Sequence, residues 1–342
     1  MWLAAAIGLG VAALAGMVLR QGRKEDLPGK TVLITGGSRG LGLLLARRFA
    51  AEGGRVALCA RDRDSLERAR QDLIARGAAP DQVFVHSCDV TDPAQIAATV
   101  RATEQYFNGP VDILVNNAGT IQVGPAETMT QADYEEAFAT HFWAAYHFVE
   151  VVLPHMRARR SGRIVNISSI GGIVSVPHLL PYSASKSALV GYSEGLRAEL
   201  LKDNIYVTTV CPGLIRTGSP RNAFFKGQNE KEYAWFALSD SLPGSSMSAD
   251  AAADEILNAV RSGDAFLVTS LAAQAAALLH GVFPGMTADL MGAANQLLPG
   301  AGGGIGTARR TGAQSETSLT QSVLTGLTQK AAADNNQLSS CS

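Results

Sequence analysis

The stretch TGGSRGLG, residues 35–42, decides which fold the chain adopts. It follows the apolar run TVLIT (31–35) and opens a segment with helical periodicity, and its glycines are spaced as G-x-x-x-G-x-G. Glycine allows the backbone to turn tightly and leaves the amides of a helix N-terminus open to an anionic group. Read alone, the stretch is also compatible with a simple tight turn, but between a first strand and a first helix it favours a dinucleotide phosphate site.

Short runs rich in β-branched residues are spread along the middle of the chain, separated by segments of helical periodicity. The runs are residues 31–35, 55–60, 82–87, 112–117, 163–168, 206–211 and 265–270. This alternation predicts an α/β fold, a doubly wound parallel sheet of the Rossmann type with about seven strands and helices on both faces. Ligands of such sheets bind at the carboxyl ends of the strands, so the functional motifs are expected there.

The residue at the end of the second strand indicates which dinucleotide the site takes. A site for NAD carries an acidic residue about twenty residues after the glycine turn, where it binds the ribose 2′-hydroxyl. This chain has Arg61, and Arg39 lies in the glycine turn. Two guanidinium groups suit a 2′-phosphate, which predicts NADP(H) in preference to NAD(H). The nearby Asp62 and Asp64 weigh against this preference, and either arginine is alternatively a solvated surface residue.

The stretch PYSASKSALV, residues 181–190, places Tyr182 four residues before Lys186 in a segment with helical periodicity. Residues i and i+4 lie on one helix face, so the phenol and the ammonium are expected to be neighbours. An isolated Y-x-x-x-K pair often arises by chance, and its simpler interpretation is a surface lysine beside a half-buried tyrosine.

Taken together, the motifs of residues 28–270 resemble the short-chain dehydrogenase/reductase family. The motifs, in family order, are TGGSRGLG, CDV with Asp89, NNAG (116–119), NISS ending at Ser169, YSASK (182–186) and CPGLIRT (211–217). Ser169 lies thirteen residues before Tyr182, which is the spacing of the family, whereas Ser168 does not fit it.

The resemblance implies a role for each matching residue. Tyr182 would be the general acid in reduction and the general base in oxidation, Ser169 would bind the substrate oxygen, and Lys186 would hold the nicotinamide ribose and tune the tyrosine. Asp89 would face the adenine, Asn116 would pack under the cofactor, and Ile215 and Thr217 would meet the nicotinamide carboxamide. With the two arginines, the predicted cofactor contacts are Gly36, Ser38, Arg39, Gly40, Leu41, Gly42, Arg61, Asp89, Val90, Asn116, Ala118, Gly119, Tyr182, Lys186, Pro212, Gly213, Ile215 and Thr217.

A physical argument supports the pairing of Tyr182 with Lys186. A free tyrosine titrates near pH 10 and is a poor base at neutral pH. A cation about 5 Å away, at an effective dielectric constant near 20, favours the phenolate by roughly 3 kcal/mol, or about two pKa units. The lysine is therefore expected to lower the pKa of the tyrosine.

One position departs from the family pattern. The family usually places an asparagine on the helix after NNAG, seven residues beyond an aromatic residue, where it helps to hold a water in a proton relay. Counting from Tyr134, this chain has His141 there. Two interpretations are open: the imidazole takes over the relay as a catalytic residue, or it is a packed helix histidine.

The loop after CPGLIRT is expected to determine the substrate. Residues 218–247 are rich in aromatic side chains, which suits a lipophilic ketone or alcohol under an apolar lid. Four residues are predicted to contact the substrate: His178, Leu179, Phe224 and Phe225. The alternative is that the aromatic residues only complete the core.

The first nineteen residues carry no charge and are followed by the basic linker 20–27. As a helix they would span roughly 28 Å, close to the hydrocarbon thickness of a bilayer, so residues 1–19 are predicted to be a membrane anchor. A cleaved signal peptide is disfavoured because the basic region that should precede it is missing. A helix packed on protein is a further alternative, because the glycines and alanines make the segment only weakly hydrophobic. The basic flank Arg20, Arg23 and Lys24 should stay on the cytoplasmic side, which predicts a membrane-associated protein with its catalytic domain, residues 28–270, in the cytoplasm.

Two further segments follow the predicted catalytic domain. Residues 271–299 read as a pair of apolar helices broken near Pro284, which could cap the core, contact a partner subunit or dip into a membrane surface. Residues 300–342 begin with a Gly/Ser/Thr-rich stretch and are predicted to be a flexible tail that is either mobile or only loosely docked.

The composition limits the classes of partner. A formal net charge of −1 gives no reason to expect nucleic acid as a partner, and the sequence shows no zinc-like cluster, so no metal site is predicted. The resemblance suggests a homodimer or homotetramer built by helices around 131–158 and 182–203. The leading hypothesis is an NADP(H)-dependent oxidoreductase acting on a lipophilic ketone or secondary alcohol. A nucleotide-binding scaffold or sensor with reduced turnover is the alternative, and nothing favours a third hypothesis, an isomerase or dehydratase.

Overall fold

The computed structural model describes residues 20–241, 246–318, 320 and 325–337. Its central feature is a parallel sheet of seven strands in the order β11-β7-β6-β4-β1-β2-β3. The strands of this sheet are β1 Thr31–Thr35, β2 Arg55–Ala60, β3 Val83–Ser87, β4 Ile113–Asn116, β6 Gly162–Ile167, β7 Ile205–Cys211 and β11 Phe266–Val268. Each of the seven predicted runs forms one of these strands, so the prediction of a Rossmann-type parallel sheet is confirmed.

The strand order reverses direction at the centre of the sheet. β1 pairs with β2 on one side, through Thr31 and Arg55, and with β4 on the other, through Val32 and Ile113. The chain adds β2 and β3 outward from β1 and then returns to add β4 on the opposite side. This reversal opens a crevice beyond the carboxyl ends of β1 and β4, which is where α/β sheets of this topology bind ligands.

Helices cover both faces of the sheet because each contributes an apolar stripe. They are α1 Gly40–Ala51, α2 Arg63–Ala75, α3 Pro93–Phe107, α4 Gln131–Phe138, α5 Ala144–Arg159, α6 Leu180–Leu200, α7 Asn229–Ser241, α8 Ala249–Ser262, α9 Leu271–Val282, α10 Pro284–Asn295 and α11 Gly326–Asp334. Leu44, Leu73 and Ile256 bring α1, α2 and α8 into one core layer. Val100 and Phe148 bring α3 and α5 into the layer on the other face.

Two small sheets lie beside the carboxyl ends of the main strands. β5 Gln122–Val123, β9 Phe224–Phe225 and β12 Arg310–Thr311 form one, and β8 Leu214–Arg216 with β10 Ser246–Ser248 forms the other. β12 joins the first sheet antiparallel to β9, so a strand from beyond residue 300 completes a sheet of the catalytic domain.

The apolar helices α9 and α10 do not cap the core. Ala273 and Thr287 are their only buried residues. Of the thirteen large apolar side chains exposed in the described chain, seven belong to this hairpin and its end: Leu271, Leu278, Val282, Phe283, Met286, Leu290 and Leu297. Asp289 is the only Asp, Glu, Lys or Arg in residues 271–308. The structure therefore excludes capping of the core, the first of the three roles that the sequence left open for this hairpin.

Part of the predicted flexible tail lies against the domain, as the second of the two expectations for this tail, loose docking, allows. Residues 313–315 form a short 3₁₀ turn after β12, and α11 packs on α7 and β8. The Thr328 hydroxyl lies 2.6 Å from the Ser241 hydroxyl, and Ala332 is buried. A Gly/Ser/Thr-rich composition indicates low intrinsic order, but it cannot register contacts with a distant surface.

The predicted anchor, residues 1–19, lies outside the described part of the chain and stays a prediction. Among the residues that the structure describes, no helix is long and apolar enough to cross a bilayer. The first described residues are tied to the domain, since Arg20 forms a 2.8 Å ion pair with Asp264 immediately before β11.

Candidate functional site

The glycine-rich turn packs directly on the NNAG turn across the crevice. Gly36 has φ +63° and Gly40 has φ +57°, in the left-handed region that favours glycine. A Cβ on Gly36 would lie 2.9 Å from Ala118 Cα, and one on Gly42 would lie 2.3 Å from the Gly36 carbonyl oxygen. Side chains at these positions would force the two turns apart, so these glycines are required by close backbone approach.

Thr35 and Asn117 hold these two turns together, and the sequence analysis did not single them out. The Thr35 hydroxyl oxygen accepts the amides of Asn117 and Ala118, each at 2.9 Å. The Asn117 carboxamide donates to the carbonyl oxygens of Thr35 and Gly36 at 2.9 and 3.2 Å. Successive residues of NNAG face opposite sides of the strand, so the sequence predicts that only one of the two asparagines meets the turn but does not say which.

Asn116, predicted to lie under the cofactor, points along the sheet instead. Its amide donates to Asn166 Oδ1 at 2.8 Å, and the Asn166 amide donates to Ser193 Oγ at 3.0 Å. The Asn116 Oδ1 atom is buried and has no hydrogen-bond partner in the described chain. Asn116 therefore links β4 to β6 and α6, while Asn117 is the asparagine that supports the glycine-rich turn.

Ser169 is the serine that meets the tyrosine. Its hydroxyl acts to lower the pKa of the Tyr182 phenol and accepts the Gly171 amide at 3.0 Å. A Cβ built on Gly171 would lie 3.3 Å from Tyr182 Cε1 and 3.5 Å from Ser169 Oγ, so the two side chains are neighbours. The Ser168 hydroxyl donates to the Lys186 carbonyl oxygen at 2.9 Å and so faces the helix backbone. The two neighbouring serines therefore face different groups, Ser169 the tyrosine and Ser168 the backbone of α6.

Lys186 is almost fully buried beneath the tyrosine. Its Nζ donates to the Ile167 carbonyl oxygen at 2.7 Å and lies 5.9 Å from the centroid of the Tyr182 ring. Burial lowers the pKa of Lys186 to about 8, an effect that the Cys211 thiol partly opposes. The ammonium is thus held at the carboxyl end of β6 by a backbone carbonyl.

The expected lowering of the tyrosine pKa is not what the structure shows. Burial raises the pKa of Tyr182 above its ordinary value, and the hydrogen bond from Ser169 only partly opposes this. The lysine cation lies toward the ring and shares its charge with the Ile167 carbonyl, so its stabilisation of the phenolate is smaller than the desolvation of that phenolate. Tyr182 is accordingly a protonated group that can donate a proton.

His141 lies on a π-helical turn, Ala139–Trp143, between α4 and α5. Its Nε2 accepts the Thr120 amide at 3.0 Å, so in the neutral ring the proton is on Nδ1, which donates to Ser185 Oγ at 2.7 Å. Burial, and then repulsion from Lys186, hold the pKa of His141 well below its usual value.

Both ring nitrogens of His141 are therefore occupied by protein. This geometry supports the packed-histidine interpretation over the relay, because a water on the imidazole would have to replace one of these bonds. The ring meets the Tyr182 ring edge-on with centroids 5.5 Å apart, so His141 positions the tyrosine through contact and through Ser185.

The two arginines predicted to bind a 2′-phosphate lie close together at the rim of the crevice. Desolvation, and then repulsion from Arg61, lower the pKa of Arg39. Arg39 donates to Asn222 Oδ1 at 3.1 Å, whereas the Arg61 side chain is exposed. Asp62 caps α2 by accepting the Ser65 amide at 2.5 Å, so its carboxylate serves the helix. Two neighbouring cations with spare donors suit an anion.

The remaining predicted cofactor residues differ in burial, and their contacts with a cofactor stay predictions. Asp89 Oδ1 accepts the amide and hydroxyl of Thr91 at 3.0 and 2.8 Å, while Val90 is buried in the core beneath it. Ser38, Pro212, Ile215 and Thr217 are buried, and Leu41 packs partly buried on the core. A Cβ on Gly213 would lie 2.7 Å from Ser270 Oγ, and one on Gly119 would lie 3.2 Å from His141 Nε2.

The predicted substrate residues are more deeply committed to the fold than expected. Phe225 is fully buried and Leu179 nearly so, in a cluster that also contains Phe236 and borders Tyr182. Phe224 is partly buried, and its ring lies under the Arg309 guanidinium at 4.3 Å. The aromatic residues of the loop thus complete a small core on the substrate side, which was the alternative interpretation.

His178 is held by α7. Its Nδ1 lies 2.9 Å from both carboxylate oxygens of Glu232, and Trp235 Nε1 donates to the same carboxylate at 2.7 Å. The backbone of His178 has φ +64°, an unfavourable value for a residue other than glycine, and its carbonyl accepts the Gly124 amide. His178, four residues before Tyr182, therefore ties this segment of the chain to α7.

These positions test whether the residues present fit a dinucleotide. The crevice offers a glycine-lined turn, the N-terminus of α1 and two adjacent guanidinium groups, followed by Tyr182 and Lys186 at the far end. Amides at a helix N-terminus and arginines bind phosphates, and a phenol with a serine suits a carbonyl oxygen. The residues fit a nicotinamide dinucleotide.

Comparison with known proteins matches the part of the chain that contains this crevice. A family model described as short chain dehydrogenase matches residues 30–226. A dehydrogenase/reductase SDR family protein 7-like of Anopheles gambiae is 39% identical over 232 residues, covering 65% of this chain and 72% of that protein. A putative ketoacyl reductase of the granaticin polyketide synthase of Streptomyces violaceoruber is 42% identical over 187 residues, covering 54% and 67%.

Solved structures share the fold over most of their length. A short-chain dehydrogenase from Streptomyces avermitilis is 32% identical with a TM-score of 0.67, covering 79% of this chain and 97% of that one. A variant of actinorhodin polyketide ketoreductase with NADPH is 29% identical with a TM-score of 0.62, covering 71% and 96%.

The matched residues 30–226 run from β1 to just past β9. They contain the glycine-rich turn, the crevice and the tyrosine, so the match concerns the functional part of the fold and more than half of the chain. The protein therefore belongs to the short-chain dehydrogenase/reductase family of oxidoreductase enzymes.

Proposed function

We propose that this enzyme is an NADP(H)-dependent oxidoreductase that interconverts a lipophilic ketone and its secondary alcohol. The observation that carries the proposal is the meeting of the Tyr182 phenol, the Ser169 hydroxyl and the buried Lys186 ammonium beside the glycine-lined crevice. A scaffold needs no proton donor, so this grouping favours turnover over nucleotide sensing.

The crevice would hold the cofactor by residues at both ends. The glycine-rich turn and the α1 N-terminus would take the phosphates, Arg39 and Arg61 would take the 2′-phosphate, and Lys186 would contact the ribose near Tyr182. When bound, the nicotinamide supplies or accepts the hydride. The protein residues supply orientation and the proton.

The chain's own residues suit proton donation to a carbonyl oxygen. The Tyr182 pKa is raised by burial, so the phenol keeps its proton at neutral pH and acts as the general acid in reduction. Ser169 donates a second hydrogen bond to the same oxygen and orients it. Lys186, while protonated, stabilises the phenolate that the tyrosine becomes after transfer.

The composition around the tyrosine supports an apolar substrate. Tyr182 packs against a small apolar core that contains Val123, Leu179 and Phe225, and the partly buried Ile121, Val176 and Trp235 pack on the same core. The relative from Streptomyces violaceoruber is named as a ketoacyl reductase, whose substrate class joins a ketone to an acyl chain. A ketone on an apolar skeleton is therefore the proposed substrate class.

The hairpin α9–α10 supports work at a membrane. Its apolar side chains are exposed, Asp289 is its only charged side chain, and its helices are too short to span a bilayer. Burial of these exposed apolar side chains in lipid is favourable and removes almost no charge from water, so we extend the proposal to a membrane-associated enzyme.

The first prediction concerns the proton donor. Tyr182→Phe is expected to lower kcat for ketone reduction by about 10²–10⁴-fold, the range that a general acid contributes, with NADPH affinity nearly unchanged. Turnover is measured by NADPH consumption against ketones graded from small and polar to steroid-sized and long-chain.

Tyr192→Phe is the matched control, because Tyr192 lies on the same helix α6 and its ring packs against Phe142 and Tyr146. Retained activity in Tyr182→Phe would refute the assignment of the donor. Tight NADPH binding by the wild type without turnover on any ketone would favour the scaffold.

The second prediction concerns cofactor preference. Arg61→Ala is expected to lower the ratio of kcat/KM for NADPH over NADH about tenfold, because one charge-assisted hydrogen bond to the 2′-phosphate is lost. Arg63→Ala, two residues along on α2 and also exposed, serves as the control and should leave the ratio unchanged. An unaltered ratio in Arg61→Ala would rule out its contact with the 2′-phosphate.

The third prediction concerns pH. Burial lowers the Lys186 pKa to about 8, so the ammonium is lost as the pH rises through that value, while the Tyr182 phenol keeps its proton. The kcat/KM for reduction is therefore expected to fall above pH 8. Lys186→Arg keeps a cation at all these pH values, so its residual activity should lack this decline. A wild-type profile that stays flat into the alkaline range would contradict the assignment.

The fourth prediction concerns the hairpin. In full-length protein carrying Cys341→Ser, an environment-sensitive fluorophore on Phe283→Cys should be quenched by spin-labelled lipids in vesicles. The same fluorophore on Leu201→Cys, exposed at the end of α6, should not be quenched. A fluorophore at position 283 that is shielded from water but not quenched by the lipids would contradict the membrane position and indicate a second copy of the chain as the partner of the hairpin.

A further inference from the structure

The end of the described chain lies on the glycine-rich turn. Residues 335–337, here called the terminal clip, follow α11 and contact the turn, the start of α2 and the loop after β8. The Asn335 carbonyl oxygen accepts the Gly40 amide at 2.9 Å. A helix N-terminal amide that would face a phosphate is thus taken by the chain's own backbone.

Asn336 ties the clip to two elements. Its Nδ2 donates to the carbonyl oxygens of Ser38 and Ser65 at 2.8 and 3.1 Å, and its Oδ1 accepts Arg68 Nε at 3.0 Å. The backbone of Asn336 has φ +55°, a conformation that asparagine tolerates better than most residues. The asparagine therefore fits both the turn and the bonds.

Gln337 fills the open side of Gly40. A Cβ built on Gly40 would lie 2.6 Å from Gln337 Nε2, so the space beside this glycine is occupied by the carboxamide. Gln337 Oε1 and its carbonyl oxygen accept Asn222 Nδ2 at 2.7 and 3.1 Å. In dinucleotide folds, a glycine at the turn is needed where the backbone approaches the pyrophosphate.

The helix before the clip, α11, makes specific contacts with the domain. Arg47, on α1, donates to the Asp334 carbonyl oxygen at 2.9 Å and to Asn335 Oδ1 at 3.3 Å. A Cβ on Gly218 would lie 2.4 Å from Ala332 Cα, so the loop after β8 approaches α11 too closely for any side chain. Contacts from three parts of the domain hold the clip in register with Gly40.

We propose that the terminal clip is an intramolecular competitor of the dinucleotide, closing the phosphate cradle in the free enzyme and leaving it when the cofactor binds. This inference rests on the proposed function. The clip presents a neutral carbonyl and carboxamides, whereas a dinucleotide presents phosphates to the same amide beside Arg39 and Arg61. Charge-assisted hydrogen bonds are about twice as strong as neutral ones, so the cofactor displaces the clip at a cost in affinity.

The test is a titration of the full-length protein with NADPH, followed by nicotinamide fluorescence. Asn336→Ala/Gln337→Ala removes the side-chain bonds of the clip and is expected to bind NADPH about tenfold more tightly than the wild type. Gln105→Ala/Asn108→Ala is the matched control, because Asn108 also has a left-handed backbone and both residues are exposed, Gln105 in the last turn of α3 and Asn108 just after that helix. The control should bind like the wild type.

Equal or weaker binding by the clip variant would overturn the proposal. Failure of all three proteins to bind NADPH or NADH would overturn the proposed function and the competition together, whereas equal binding by all three would overturn the competition alone. The two failures are therefore distinguishable.

Hydrogen exchange of the wild type provides a second readout that needs no variant. Addition of NADPH is expected to accelerate amide exchange in residues 335–337, because the clip leaves the glycine-rich turn. Slower exchange in this segment would show that the clip closes over bound cofactor and would refute the competition.

Discussion

The Thr35 hydroxyl is the interaction on which the site depends. It accepts the amides of Asn117 and Ala118, which fixes the end of β1 against the end of β4 at the point where the strand order reverses. Without these hydrogen bonds, the ends of β1 and β4 could separate, and the two turns that border the crevice would have no fixed position. Thr35 and Gly36 hold the two turns in contact. The glycine-rich turn therefore keeps a constant distance from the end of β4.

The catalytic end of the crevice is organised by burial more than by attraction. Lys186 and Tyr182 are both desolvated, which lowers the pKa of the lysine to about 8 and raises that of the tyrosine. The Ile167 carbonyl holds the ammonium, and His141 packs the tyrosine through neutral contacts. Tyr182 therefore holds its proton tightly, and the neighbouring Lys186 is a cation until the pH rises through about 8. This arrangement suits proton donation.

The two segments that follow the matched family region differ in how they contact the domain. The hairpin α9–α10 leaves its apolar side chains outside the domain, while α11 and the terminal clip return to its most functional surface. Both segments belong to the part of the chain that composition described as apolar or flexible. Their contacts, and not their composition, relate them to the enzyme.

The sequence by itself determined the strand pattern, the glycine-rich turn and the choice of Ser169 over Ser168, because these depend on local periodicity and fixed spacing. Only the tertiary structure decided that Asn117 rather than Asn116 supports the turn, that Phe225 is core, and that His178 binds Glu232. It also decided that burial outweighs the lysine charge at Tyr182, and that Asn335 reaches Gly40. The physical reason is that desolvation and contacts between residues hundreds of positions apart exist only once the chain has packed, whereas spacing along one element is present in the sequence itself.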